Sequence, residues 1–404
     1  MEQRIFCPQL FDGRQLQHNM LLCLRADRVE AVLDAQAAAT AVADLRLPPG
    51  SLLAPGLIDI QVNGGGGVLF NDRPTLHAIA RLAQAHRAHG TTALLPTLIT
   101  ATREHMALAV SAVREACVGV PGVLGIHLEG PFLQAARRGI HRQQHIATWD
   151  NTSTDAELQL LSGLGESGRT LVTLAPECVP PGTIGALRKR GVLVFAGHTD
   201  ASFEQLQLAL DEGLTGFTHL FNAMSQLTGR APGAVGAALL ADAAYVGLIL
   251  DGHHVAAGSV AVLRAARGMQ RVILVSDAMG VAGTAATEFM LQGQRIRVQD
   301  GRCVDDNGTL AGSAITLADA VRTAVTDYGI SLELALASAS RVPAELLGLA
   351  RTHGVLQAGA RADAVLFDAG LYPCGVLQGG DWVRAPEPGT SQPPAGQYTA
   401  AQTT

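Results

Sequence analysis

Eight short, almost unbroken apolar runs, separated by Ala/Leu-rich stretches, set the tightest limit on how this chain can fold. They are Leu53–Val62, Thr92–Leu98, Val123–Leu128, Thr170–Leu174, Gly191–Ala196, Gly216–Leu220, Val246–Leu250 and Val272–Val275. Runs this brief, bounded by Gly, Pro or Asp, suit strands buried on both faces of a parallel sheet. The stretches between them, such as Thr75–His89 and Ser202–Glu212, carry apolar residues at the spacing of an amphipathic helix. Eight strand–helix units in succession point to an α/β fold, a (β/α)8 TIM barrel; counting alone leaves a doubly wound open sheet in play.

The flanks break that rhythm. Residues 1–52 hold short strands of mixed polarity with turn signals at Asp12-Gly13 and Pro48-Pro49-Gly50, and residues 354–385 repeat the style. A small β-sandwich domain formed from both chain termini (1–52 and 354–385) is therefore expected beside a barrel over 53–353. Residues 386–404, rich in Pro, Gln, Thr and Gly, read as a disordered tail. A length of 404 residues, 48% of them hydrophobic, suffices for such a barrel and a smaller module.

Basic residues number 29 against 35 acidic, with no Lys/Arg-rich block, so nucleic acid is not an expected partner. An anionic ligand must then be held by a few local groups. No apolar stretch reaches the roughly 20 residues of a membrane span, and Met1–Leu10 lacks a hydrophobic leader. The six cysteines are scattered without a close pair and read as reduced thiols. A cytoplasmic protein with no membrane partner is the expectation.

Polar residues cluster where the apolar runs stop. The runs end in Asp59-Ile60-Gln61-Val62-Asn63, His127-Leu128-Glu129, Gly197-His198-Thr199-Asp200, Thr218-His219-Leu220-Phe221-Asn222, Asp251-Gly252-His253-His254 and Ser276-Asp277. In a TIM barrel the C-terminal strand ends carry the chemistry. So many ionisable endings at one mouth cost several kcal/mol each to bury unless a metal or partners compensate.

The strings His127-Leu128-Glu129-Gly130-Pro131-Phe132, Gly197-His198-Thr199-Asp200-Ala201 and His219-Leu220-Phe221-Asn222-Ala223-Met224 resemble those of N-acetylglucosamine-6-phosphate deacetylases, in the amidohydrolase superfamily. Asp251-Gly252-His253-His254-Val255, Ser276-Asp277-Ala278-Met279 and Leu310-Ala311-Gly312-Ser313 match in the same order. The resemblance implies removal of the acetyl group from an amino-sugar phosphate. It implies Glu129, His198 and His219 as ligands of one divalent metal per subunit, a set that suits zinc or iron. Asp277 is implied as the catalytic acid/base, and His141, twelve residues after Glu129, as a catalytic group that meets the substrate. His145 is the alternative to His141. For substrate the resemblance implies Asn222, Ala223, Asp251, His254 and the segment Leu310-Ala311-Gly312. Arg230 joins them as a bidentate phosphate contact, tied in relatives to a homodimer.

One departure stands out. Many amidohydrolases carry His-x-His at the end of strand one, whereas this chain has Gln61-x-Asn63. Carboxamides ligate zinc weakly, so a single metal is expected. Lys189, the one lysine of the chain, sits in an Arg-Lys-Arg cluster and is badly placed to bridge two metals, which disfavours a cyclic amidase. The galactosamine epimer and a non-catalytic sugar-phosphate-binding barrel remain as alternatives. Gly64–Gly67 reads as a tight turn beside the metal, and His86 and His89 as helix C-terminal residues that answer the dipole.

Overall fold

The computed structural model describes residues 2–34, 36, 42–152 and 154–384; the tail expected over 386–404 lies outside them. Each expected apolar run supplies a strand of one parallel sheet. The strands are β1 (Leu57–Val62), β2 (Thr91–Ile99), β3 (Gly125–Glu129), β4 (Arg169–Leu174), β5 (Leu193–Ala196), β6 (Gly216–Phe217), β7 (Tyr245–Leu248) and β8 (Val272–Leu274). Neighbours in sequence are neighbours in space. The sheet closes where Val62 bridges Ala278 just past β8. There Asp277 N donates to Gln61 O at 3.0 Å and Asn63 N to Ala278 O at 3.0 Å. Closure selects the barrel over the open sheet.

Side chains alternate along the strands. Ile126, Leu128, Val172 and Leu174 pack outward with the helices. Leu171, Phe195, Ile58, Ile60 and Ile273 fill the interior. His127, Glu129 and Thr173 extend the inward rows of β3 and β4 toward the C-terminal mouth. The outer helices begin at sound caps. Thr75 Oγ1 accepts from Ala78 N ahead of Leu76–Arg87, and Ser202 with Gln205 forms a capping box ahead of Phe203–Asp211.

The first apolar run divides in two. Leu52–Pro55 joins the sheet made by the termini, and only Leu57–Val62 enters the barrel. Gly56 separates them, because a Cβ there would lie 2.0 Å from Thr92 Oγ1. Leu52–Pro55 runs parallel to Glu2–Phe11 and antiparallel to Ala364–Phe367, so one eight-stranded sheet unites both ends of the chain.

An antiparallel sheet over Glu288–Leu291, Gln294–Gln299, Arg302–Val304 and Leu310–Ser313 follows β8 and was not expected from sequence. Its strands are half-exposed and of mixed polarity, so no apolar run announces them. Gln292-Gly293, Asp300-Gly301 and Asn307-Gly308 were the available turn signals. Among the described residues no helix is long and apolar enough to cross a membrane.

Candidate active site

Glu129 ends β3, His198 follows β5 and His219 follows β6, and all three side chains are buried at the barrel mouth. His198 Nε2 and His219 Nε2 each lie 3.2 Å from Glu129 Oε1 and 3.0 Å from one another. His198 Nδ1 donates to Arg137 O at 2.9 Å, which leaves a lone pair on its Nε2. Acceptor atoms therefore converge with little between them. A tetrahedral ion with arms of about 2.0–2.1 Å would need ligand atoms roughly 3.3 Å apart, so the donor set fits a metal. Burial pushes the Glu129 carboxyl up, but the adjacent His198 and His219 outweigh this and hold it well below the usual carboxylate range.

Asp277 completes the group from the far side of the seam. Its Oδ1 accepts from Asn63 Nδ2 at 2.6 Å and from Gln61 Nε2 at 3.1 Å, while Gln61 Nε2 also reaches Glu129 Oε1 at 3.3 Å. Burial, then the Glu129 charge, raises its carboxyl to about 7. His198, His219 and Asp277 all have positive φ, at 49°, 31° and 50°. Such conformations are uncommon outside glycine and gather at functional sites. Each occurs just past a strand end, where the chain turns away from the barrel.

A cleft of about 490 Å³ opens over these groups. His141 lines it, 2% exposed, with its ring 4.4 Å from that of His198. Burial, then the neighbouring His198, lowers its pKa to about 3, so it is neutral. Thr100 N donates to its Nδ1 at 3.4 Å, which puts the ring proton on Nε2. His254 also lines the cleft and donates through Nδ1 to Asp251 Oδ2 at 2.7 Å. Burial works against the His254 charge, but Asp251 outweighs it and raises the imidazole pKa. Asn222, Ala223, Leu310 and Gly312 also line the cleft.

Three expected substrate residues are not on this wall. The Asp251 carboxylate is buried and faces His254 and the backbone N–H groups of His253 and His254 instead of the cleft. Ala311 packs beneath the cleft with Leu69 and Met279. Arg230 is exposed and stands off the cleft of its own chain, on the Thr228–Ala231 turn. His145 is half-buried outside the cleft, which favours His141.

His86 is also corrected. It is buried, its pKa is lowered to about 4 by burial, and its Nε2 meets Gly64 O at 2.8 Å. A neutral ring that props the glycine turn does not answer a helix dipole as a cation. Sequence reasoning missed Thr100, which orients His141, and Gly308 and Thr309, which the insert delivers to the cleft. The Asn307-Gly308 dipeptide was the only local sign of that turn.

A model of the amidohydrolase family matches residues 52–394. The N-acetylgalactosamine-6-phosphate deacetylase of a Shewanella species is 43% identical over 325 residues, 80% of each chain. The N-acetylglucosamine-6-phosphate deacetylase of Haemophilus influenzae is 32% identical over 89% of this chain and 93% of its own. The crystal structure of the Pasteurella multocida N-acetylglucosamine-6-phosphate deacetylase gives a TM-score of 0.88 at 30% identity, covering 95% of this chain and all of that one. A mutant of the Mycobacterium smegmatis enzyme of that name, in complex with N-acetyl-D-glucosamine-6-phosphate, gives 0.88 at 34% identity over the same shares.

Proposed function

This chain belongs to the amidohydrolase family, and from that premise we propose that it hydrolyses the acetamide of N-acetylglucosamine 6-phosphate to glucosamine 6-phosphate and acetate. The observation that carries the reading is the convergence of Glu129, His198 and His219 beside a carboxylate, Asp277, at the mouth of a closed barrel. One divalent ion per subunit, zinc first and iron second, is assigned to those three ligands. Bound there, the ion supplies Lewis acidity that makes water a nucleophile at neutral pH and polarises the amide carbonyl. Gln61 sets its Nε2 hydrogens between Glu129 and Asp277, which disfavours a second cation in that gap.

The residues of the chain divide the remaining work. Asp277 Oδ1 holds two N–H donors, so Oδ2 is the atom that takes a proton from the attacking water. His141 Nε2–H donates to the acetyl oxygen as negative charge builds on it. Asp277 then gives its proton to the sugar nitrogen as the C–N bond breaks. His254, whose charged form Asp251 favours, and the backbone N–H groups near Asn222, Ala223 and Leu310–Gly312 hold the phosphate. The partner subunit's Arg230 completes that clamp in a homodimer. The free cysteines and a phosphorylated substrate fit the cytoplasm.

A second reading, the galactosamine epimer, is favoured by the 43% identity to a relative of that specificity. Acetate release from both epimeric sugar phosphates by purified, metal-loaded protein tests the two. Turnover of the gluco epimer with equal yields of acetate and free amine is expected. A higher kcat/KM for the galacto epimer moves the assignment to the second reading, and acetate from neither ends both.

A further inference from the structure

A second, shallow cavity of about 660 Å³, wide open to solvent, lies beside the cleft and is lined by Arg138, Arg142, Gln143, Gln144 and Gln294, all but Arg142 exposed. The loop 137–145 is the wall between them. Arg137, Gly139, Ile140 and His141 face the metal-ligand cluster, whereas Arg138 and the residues from Arg142 onward face the second cavity. The antiparallel insert forms the other side. The Arg142 guanidinium lies close to Gly293, where an added Cβ would stand 3.2 Å from its Nη2. Gln292 Nε2 donates to Thr100 O at 3.1 Å, which ties that same turn to the residue that orients His141.

The side chains that line this cavity include cations and carboxamides but no acid. Arg138 Nη1 donates only to backbone carbonyls, those of Gly139 and His141. Arg142 has no hydrogen bond or ion pair from its side chain among the described residues, and no carboxylate lines the cavity. Elsewhere some arginines, such as Arg322, Arg341 and Arg361, are matched to acids, and others, such as Arg188 and Arg267, donate to backbone carbonyls. In a chain of net charge −6, two guanidiniums without a carboxylate partner face one cavity beside three carboxamides. Guanidinium forks and carboxamide N–H groups suit the three oxygens of a phosphomonoester.

We propose that this cavity is an anion-capture site, which binds the phosphate group of the sugar phosphate at the mouth before the molecule enters the cleft. The proposal rests on the phosphorylated-substrate reading above and adds an outer station to it. A local cationic site of this kind raises the rate of productive encounter and does not touch the reacting bond.

The test uses the full-length, metal-loaded protein with inorganic phosphate as the probe. Calorimetric titration should find two phosphates per chain in the wild type and one in Arg142→Gln, with Arg142→Lys keeping two. For the sugar phosphate, Arg142→Gln should leave kcat unchanged and lower kcat/KM about tenfold at low ionic strength. That gap should close as salt screens the site. The same number of phosphates per chain in the wild type and in Arg142→Gln, or an unchanged kcat/KM, would each overturn it. Failure of both epimers as substrates would sink the parent reading alone, because the phosphate titration needs no turnover.

Discussion

Asn63 Nδ2 donates to Asp277 Oδ1 at 2.6 Å, and Gln61 Nε2 donates to the same oxygen at 3.1 Å. The carboxamides stand at the end of β1 and Asp277 just past β8, so the contact spans the seam where the barrel closes. It fixes the carboxylate and opposes the burial and Glu129 charge that raise its pKa to about 7. A hydrogen bond to a charged group contributes about 1.5–3 kcal/mol, which is roughly 10–100-fold in rate. Asn63→Ala should therefore lower kcat by that factor. The base must be ionised to act, and losing a donor raises its pKa, so activity should also be lost at a higher pH than in the wild type. Since a bound ion offsets the Glu129 charge, the wild-type acid limb is expected at or below about 7. A pH–kcat profile checks this; an unmoved limb would show that Asn63 does not hold the base.

Asp277→Asn tests the proton shuttle itself. The amide preserves shape and leaves Glu129, His198 and His219 in place, so metal content should stay at one per chain. General acid–base catalysis contributes about 10²–10⁴-fold, and kcat should fall by that much. Metal analysis beside steady-state kinetics separates the two outcomes. A variant that loses its metal would make Asp277 a ligand, and near-normal turnover would remove it from the reaction.

The barrel was legible because strands buried on both faces leave continuous apolar runs, as Thr91–Ile99 does with all nine residues buried. Glu129, His198, His219 and Asp277 were legible because charge at the end of such a run is costly without a purpose. The antiparallel insert was not, since Gln294–Gln299 is half-exposed and its pattern resembles a loop. Asp251 is a substrate residue by the resemblance of its motif, but a matched motif does not say which of its side chains faces the cleft. His86 was misread for a related reason. Its place near a helix end is visible in sequence, whereas the glycine turn that covers it comes from another strand end.

Metal removal should destabilise the chain as well as silence it. Three acceptor atoms held 3.0–3.2 Å apart repel one another once nothing lies between them. An ion that binds only the folded state adds about 4 kcal/mol at a thousand times its dissociation constant. Chelated protein should thus melt several degrees lower, and restored zinc should return the wild-type Tm. In His219→Ala the zinc-dependent rise should vanish. Scanning calorimetry with and without zinc measures it, and an unchanged zinc response in His219→Ala would exclude that imidazole as a ligand.

The phosphate-binding role proposed for His254 carries a pH dependence of definite sign. Burial disfavours its charge, yet the Asp251 carboxylate at 2.7 Å outweighs that and raises its pKa above the ordinary histidine value. The imidazolium is therefore present below that raised pKa and lost as pH climbs through it. KM for the phosphorylated substrate should rise on the alkaline side, while KM for an unphosphorylated N-acetyl sugar should stay flat. Asp251→Asn removes the carboxylate that sustains the charge, so its KM should begin to rise at a lower pH. Because Asp251 touches His254 and not the cleft, kcat at saturating substrate should change less than KM. Parallel KM–pH profiles for wild type and Asp251→Asn, with no displacement between them, would mean that the phosphate is held by groups other than His254.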